Sequence, residues 1–253
     1  MDRSNFMRHN VCIHNILAIA VAMTVFFLPV SHSHAGDNPV GENTLIQKII
    51  SAYGGKDKLS KVYALSAVGH IKKLFPYDEG PYFRVMKRER KLLFDSRYSR
   101  FEEKRILNNG KGYRETDGET EAVTGPPYDA MVCQYNQLDL PFGLLDGSLT
   151  VVSLRRDSMN DNDAEVLHLK DHYGYEIDVY VHPEDFLILK AIGYCQAGQN
   201  RRSISAEFSD FREVEGILLP HKIVNYANDF KLTEKDIMKY KINPHTDDAQ
   251  FNP

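Results

Sequence analysis

The sequence lacks the short patterns by which much catalytic chemistry is recognised. It has no G-x-S-x-G elbow, no P-loop, no H-E-x-x-H pair and no C-x-x-C, so no motif makes a positive case for an enzyme. It also lacks an excess of either charge. Its 31 basic and 35 acidic side chains give a formal net charge of −4, which leaves no basic footprint for nucleic acid. Internal repeats and low-complexity linkers are absent too. Beyond residue 35, no apolar run approaches the ~20 residues that a membrane-spanning helix needs.

The one long apolar run lies at the start. Arg3 and Arg8 form a basic region, Ile16–Val30 is uncharged and too short to span a bilayer, and Ser33-His34-Ala35 offers small residues before Gly36. This predicts a secretory signal over residues 1–35 and a single domain over residues 36–253. An uncleaved N-terminal anchor is the rival reading. The compartment follows: the periplasm where an outer membrane exists, the medium otherwise. Cys12 precedes the apolar run, so it is no lipobox cysteine. Cys133 and Cys195 remain, in a space where a disulfide persists. A bridge between them is worth roughly 4 kcal/mol in the chain-entropy model; the alternative is two separately buried thiols.

Thr44-Leu45-Ile46-Gln47 fits a capping box. Leu45, Ile46, Ile49, Ile50 and Tyr53 then make one apolar stripe, stopped by Gly54-Gly55. The result is an amphipathic helix of about ten residues, too short to stand alone. From Val62 the period changes to two, with strands expected at 62–75, 81–89, 91–97, 100–108 and 111–116. Asn109-Gly110 marks a hairpin between the last two. After Gly125-Pro126-Pro127, Met131, Val132, Tyr135 and Leu138 share a helical face, and Leu140–Leu145 is an apolar turn or short helix. This insert is either a plug in a barrel end or a lid over a cavity.

Strands resume at 149–157, 164–170, 174–182 and 187–196. Ser205–Tyr226 reads as two strands joined at Glu215-Gly216, apolar on both faces and so needing cover on both. Pro220 cannot donate to a ladder and suggests an edge or a bulge. A last strand lies near 231–242. A sheet of eleven or twelve antiparallel strands curls rather than staying flat.

Beyond residue 35, His168 and His172 are the only histidines at a suggestive spacing. Four residues along a strand span about 13 Å, too far for one metal unless the turn at Tyr173-Gly174 folds them together with Asp171 as a third ligand, so neither metal nor cofactor is expected. His221 reads as a core or rim histidine, and Asp247 and Asp248 as solvated residues of a polar tail.

Both ends of the predicted domain carry a resemblance. The residues are Ala52-Tyr53-Gly54-Gly55, Leu59 and Val68-Gly69-His70-Ile71, then Phe208-Ser209-Asp210-Phe211, Gly216-Ile217-Leu218-Leu219-Pro220 and Ile223, then Ile242-Asn243-Pro244 with Asp248 and Phe251. Together they resemble the outer-membrane lipoprotein-sorting superfamily, the periplasmic carriers of the LolA/LolB type and their relatives. The resemblance implies a mainly β fold: an unclosed antiparallel β-barrel of about eleven strands, with an N-terminal helix and a central helical insert covering the concave face. In those carriers the cavity receives lipoprotein acyl chains, and an inward arginine ties a strand to the lid. Arg84 is the candidate for that role, and the absence of tryptophan is a departure from the carriers.

On this reading the protein is a non-enzymatic periplasmic carrier or binding protein for a lipid or lipoprotein acyl chain, without cofactor or nucleic acid. Transient membrane contact and envelope-protein partners go with it. Phe83, Val85, Ile177, Val179, Leu187, Leu189, Phe208 and Ile223 are the expected cavity lining, and Met131, Val132, Leu144 and Leu145 the mobile cover. Two rivals stand beside it. One is a structural or interaction protein of the envelope with a filled core. The other is a lipid or envelope hydrolase, which needs Ser, Asp or Glu within hydrogen-bond reach of His221 or His168.

Overall fold

In the computed structural model, which describes residues 41–159, 162–197 and 200–253, two helices lead into the strands. They are α1 (Glu42–Ala52) and α2 (Lys56–Leu59). Six strands follow: β1 (Ala64–Leu74), β2 (Tyr77–Lys87), β3 (Lys91–Arg97), β4 (Glu102–Asn108), β5 (Lys111–Thr116) and β6 (Glu119–Val123). Helices α3 (Pro126–Leu138) and α4 (Phe142–Asp146) interrupt them. The second run is β7 (Leu149–Met159), β8 (Asn162–Asp171), β9 (Glu176–Val181), β10 (Ile188–Ala197), β11 (Asn200–Val214), β12 (Ile217–Ala227) and β13 (Phe230–Ile242). The predicted signal segment 1–35 lies outside the described residues.

All thirteen strands form one antiparallel sheet in the order β6-β5-β4-β3-β2-β1-β13-β12-β11-β10-β9-β8-β7. Each run is a meander, and the first strand of the domain is joined to the last. The free edges, β6 and β7, are the two strands between which α3 and α4 are inserted. Helix α3 touches β4 and β5 on one side and β9, β10 and β11 on the other. In a flat sheet, seven strand spacings would put β4 roughly 34 Å from β10, whereas a helix is only about 10–12 Å across. The sheet therefore curls around α3 without closing, as the strand pattern implied.

Local chemistry explains the joints. At the β11–β12 turn, Glu215 (φ 52) and Gly216 (φ 79) both take positive φ, and Val214 pairs with Ile217. That is the left-handed two-residue turn matching the twist of the strands. Helix α1 ends against it: Gly54 takes φ 117, and a Cβ there would sit 2.3 Å from the Gly216 oxygen. The Leu218 amide donates to the Tyr53 carbonyl at 3.2 Å. The two glycine motifs at opposite ends of the domain thus touch.

Four expectations need correction. Helix α1 starts at Glu42 with Gly41 as its cap, so Thr44 and Gln47 lie inside it and form no capping box. β6 was not expected; its Asp117-Gly118 turn is a good hairpin signal, but its exposed residues carry no apolar alternation. Pro220 lies in an interior strand. It is tolerated because β12 pairs with β13 only from Lys222 onward, leaving a local split between the two strands. Lastly, Asp248 in the C-terminal tail is paired rather than merely solvated. Phe251 is wholly buried with Val85, Leu93 and Ile106, and Asp248 accepts from Lys87 at 2.5 Å and Lys91 at 2.7 Å.

Candidate functional site: the covered concave floor

Helices α3 and α4 form the cover. Met131, Val132 and Tyr135 of α3 and Phe142 and Leu144 of α4 are buried in the main core. Gly193 lets α3 seat closely on β10, since a Cβ there would lie 2.7 Å from that of Cys133. Gln137 is almost wholly buried, and its amide donates to the Ala191 and Ile204 carbonyls at 3.1 and 2.7 Å. Such bonds hold the cover in one register, because an unpaired buried amide is costly.

One end of the cover is fastened by polar groups. The Tyr135 hydroxyl donates to the Arg88 carbonyl and accepts from the Arg90 amide. Arg88 bonds the Phe142 carbonyl at 3.1 Å and the Asp146 carboxylate. Asp139, at the end of α3, lies 3.5 Å from the Arg88 Nε. Burial pushes the Asp139 pKa up to about 7; Asp146 adds to the rise and Arg88 opposes it. Asn136 donates to Asp171 at 3.1 Å. A cavity of ≈ 210 Å³ opens among these side chains.

Cys133 on α3 and Cys195 on β10 are free, buried thiols. They interact: a hydrogen bond between them raises the Cys133 pKa, with burial adding to the rise, and lowers that of Cys195.

Beneath the cover lies a cavity of ≈ 30 Å³, bounded by Tyr53, Leu65, Arg84, Gln137, Leu140, Phe142, Ile188, Phe208, Leu219, Ile223 and Tyr240 among others. Arg84 is 4% exposed, and its Nε and Nη1 have no hydrogen-bond partner. Burial works to lower its pKa, but Tyr82 and Tyr240 outweigh that and raise it, so the guanidinium stays charged. The Tyr82 hydroxyl is also buried and unpartnered. Lys235, likewise 4% exposed, donates to Asn225 Oδ1 at 2.5 Å. Burial lowers its pKa well below the ordinary value, helped by Arg105 and Arg84. Among the described residues no carboxylate pairs with Arg84 or Lys235; Glu103, at 3.9 Å, attends Arg105 instead.

Of the expected lining residues, Phe208 and Ile223 do border this cavity. Ile177 and Val179 are buried in the same core without bordering it. Met131, Val132 and Leu144 are buried in the cover, and Leu145 is half-buried against the core. Phe83 and Val85 face the other way: on β2 the inward residues are Tyr82, Arg84 and Met86, while Phe83 and Val85 pack with Phe251. Leu187 is half-buried against the core, but Ile188 rather than Leu189 borders the cavity, because the β9–β10 register shifts between Ile188 and Lys190. Leu219, Tyr53 and Tyr240 were missed. Leu219 shares the face of Ile223 by simple alternation; the other two carried no comparable signal.

His221 and His168 are both held by their neighbours. His221 Nδ1 donates to the Ile237 carbonyl at 2.7 Å and its ring meets Tyr240 edge-on at 5.2 Å. It helps seal the split between β12 and β13, where the Tyr240 hydroxyl also donates to the Pro220 carbonyl at 2.6 Å. His168 does have a carboxylate in reach, with Nδ1 2.7 Å from Asp178 Oδ1. Asp178 also accepts from Arg155 at 3.1 Å and Tyr194 at 2.8 Å. This network occupies the face opposite the Leu167–Leu169 core, and among the described residues no hydrogen bond links His168 to Ser153 across the ladder.

No family model and no curated protein matches the chain, but solved structures do. An outer-membrane lipoprotein-sorting protein domain from Vibrio parahaemolyticus is similar at TM-score 0.50 and 13% identity, over 82% of this chain and 94% of that one. A LolA superfamily protein from Nitrosomonas europaea is similar at 0.51 and 14%, over 82% and 96%. A DUF1329 family protein from Desulfovibrio piger is similar at 0.52 and 12%, over 85% and 98%. At these identities the likeness is one of architecture. The chain has the fold of the LolA superfamily and of outer-membrane lipoprotein-sorting domains.

Proposed function

We propose that this protein is an exported, non-enzymatic carrier that shelters an apolar chain, from a lipid or a lipoprotein, between its concave floor and the α3–α4 cover. The observation that carries this reading is the placement of a separate helical cover over an apolar floor, between the two free sheet edges. The names of the similar structures support it, and the signal-like residues 1–35 support a periplasmic setting. Binding is hydrophobic, at ~0.8 kcal/mol per buried methylene, so ten methylenes supply ~8 kcal/mol, enough for micromolar affinity. A cavity of ≈ 30 Å³ has room for little more than a few waters, far short of an acyl chain. An acyl chain therefore enters only when the cover lifts.

That small volume favours a second reading, an envelope protein with a permanently filled core. Native mass spectrometry of protein released from cells without detergent separates the two, together with displacement of a fluorescent palmitoyl probe. The carrier shows co-purifying lipid masses and a displaceable probe. Bare protein that takes up no probe establishes the filled core.

A further inference from the structure

Two buried basic side chains, Arg84 and Lys235, have no acidic partner among the described residues. Arg84 leaves two guanidinium nitrogens unpartnered, as is the Tyr82 hydroxyl on the same face of β2. Lys235 Nζ has a neutral amide oxygen and lies 5.5 Å from the ring centre of Tyr82, so both basic groups converge on that tyrosine. Buried charges are ordinarily paired, and a filled apolar core gains stability when an unpaired ion is replaced by an apolar residue of like volume. A purely apolar ligand makes no use of them either.

We infer that the floor binds an anionic amphiphile, whose oxyacid head, a carboxylate or a phosphate monoester, meets Arg84 and Tyr82 with the Lys235 amine beside them, while its tail lies along Leu65, Phe208 and Ile223. A guanidinium offers a planar pair of donors that matches either head. The ≈ 30 Å³ space at Arg84 is of the order of a few waters, so head and tail alike need the cover to lift. The inference rests on the carrier reading and narrows it to ligands with a negative head.

The test is calorimetric titration of the delipidated mature chain with three sixteen-carbon ligands: palmitate, hexadecyl phosphate and 1-hexadecanol. Wild type is compared with Arg84→Met and Lys235→Met. At least one anionic ligand is expected to bind about tenfold or more tighter than hexadecanol, the scale of a hydrogen bond to a charged group. Preference for palmitate assigns a carboxylate source, and preference for hexadecyl phosphate a phosphate source. In Arg84→Met the three ligands bind alike. Each Met variant is expected to melt at or above wild type without ligand, which shows that it folds; Arg84→Lys, charged but without the planar fork, stands in if it does not, with an intermediate preference. Equal affinity for all three ligands in wild type overturns the anion site and leaves the carrier intact. A preference that survives both Met variants also overturns it. If nothing binds, the carrier reading itself falls.

Discussion

Asp139 tests how the cover is held. It ends α3, is 4% exposed and has a pKa pushed up to about 7, chiefly by burial. In the unfolded chain an aspartate titrates near 3.9. Between those values the native protein holds a proton that the unfolded chain has released, so the free energy of unfolding falls as pH rises. The loss starts near pH 4 and is complete above about pH 7. Three pH units at ~1.4 kcal/mol each give ~4 kcal/mol, an upper figure because water relaxes around a buried charge. Asp139→Asn keeps the shape and removes the charge, and Arg88 retains Asp146 and the Phe142 carbonyl. Urea unfolding of both proteins from pH 4 to pH 8 isolates the effect, since all other titrating groups cancel in the difference. The variant is expected to match wild type near pH 4 and to exceed it by up to ~4 kcal/mol at pH 8. Parallel pH profiles, or a variant weaker at pH 8, refute the assignment. The same charge loosens the cover, so probe uptake by wild type should quicken above pH 7 and that of the variant should not.

Gly54→Ala forces a Cβ against the Gly216 oxygen at a positive φ and should cost roughly 3 kcal/mol; an unchanged urea midpoint rejects the close packing. Phe251→Ala should cost about 3–5 kcal/mol yet leave probe binding intact, because Phe251 packs on the outer side with Val85; lost probe binding places that cluster in the ligand path instead. Oxidised glutathione should join Cys133 to Cys195, with two protons lost from the thiols and two electrons passed to the glutathione disulfide. The bridge adds roughly 4 kcal/mol of stability, ties α3 to β10 and slows probe uptake. Thiol titration of the denatured, non-reduced product, made without residues 1–35 and so without Cys12, then finds none, and two free thiols refute the bridge.

Local chemistry was legible, and long-range placement was not. Glu215-Gly216 and Asn109-Gly110 were readable as turns because positive φ is a demand met within two residues. Asp117-Gly118 carried the same signal, but β6 is exposed and polar, so no alternation drew attention to it. On β2 the alternation itself was plain. Which face turned inward was not, because both carry large apolar residues, and Phe251, far along the chain, covers the outer one. Arg84 was suspected only by resemblance; its lack of an acidic partner depends on five strands brought side by side. The nearness of Cys133 to Cys195 depends on a helix seating over Gly193, which no spacing in the sequence encodes.

Because β1 pairs with β13, the sheet cannot be completed until the last strand is made. Until residues 230–242 are available, β1 keeps an open edge, and before Gly216 emerges α1 has no turn to dock on. Joining segments so far apart in sequence is slow, and an open edge invites pairing with foreign strands. A chain made from its N-terminus therefore carries that open edge almost to its last strand. Truncation inside β13 should yield an aggregating sheet rather than a shortened half-barrel.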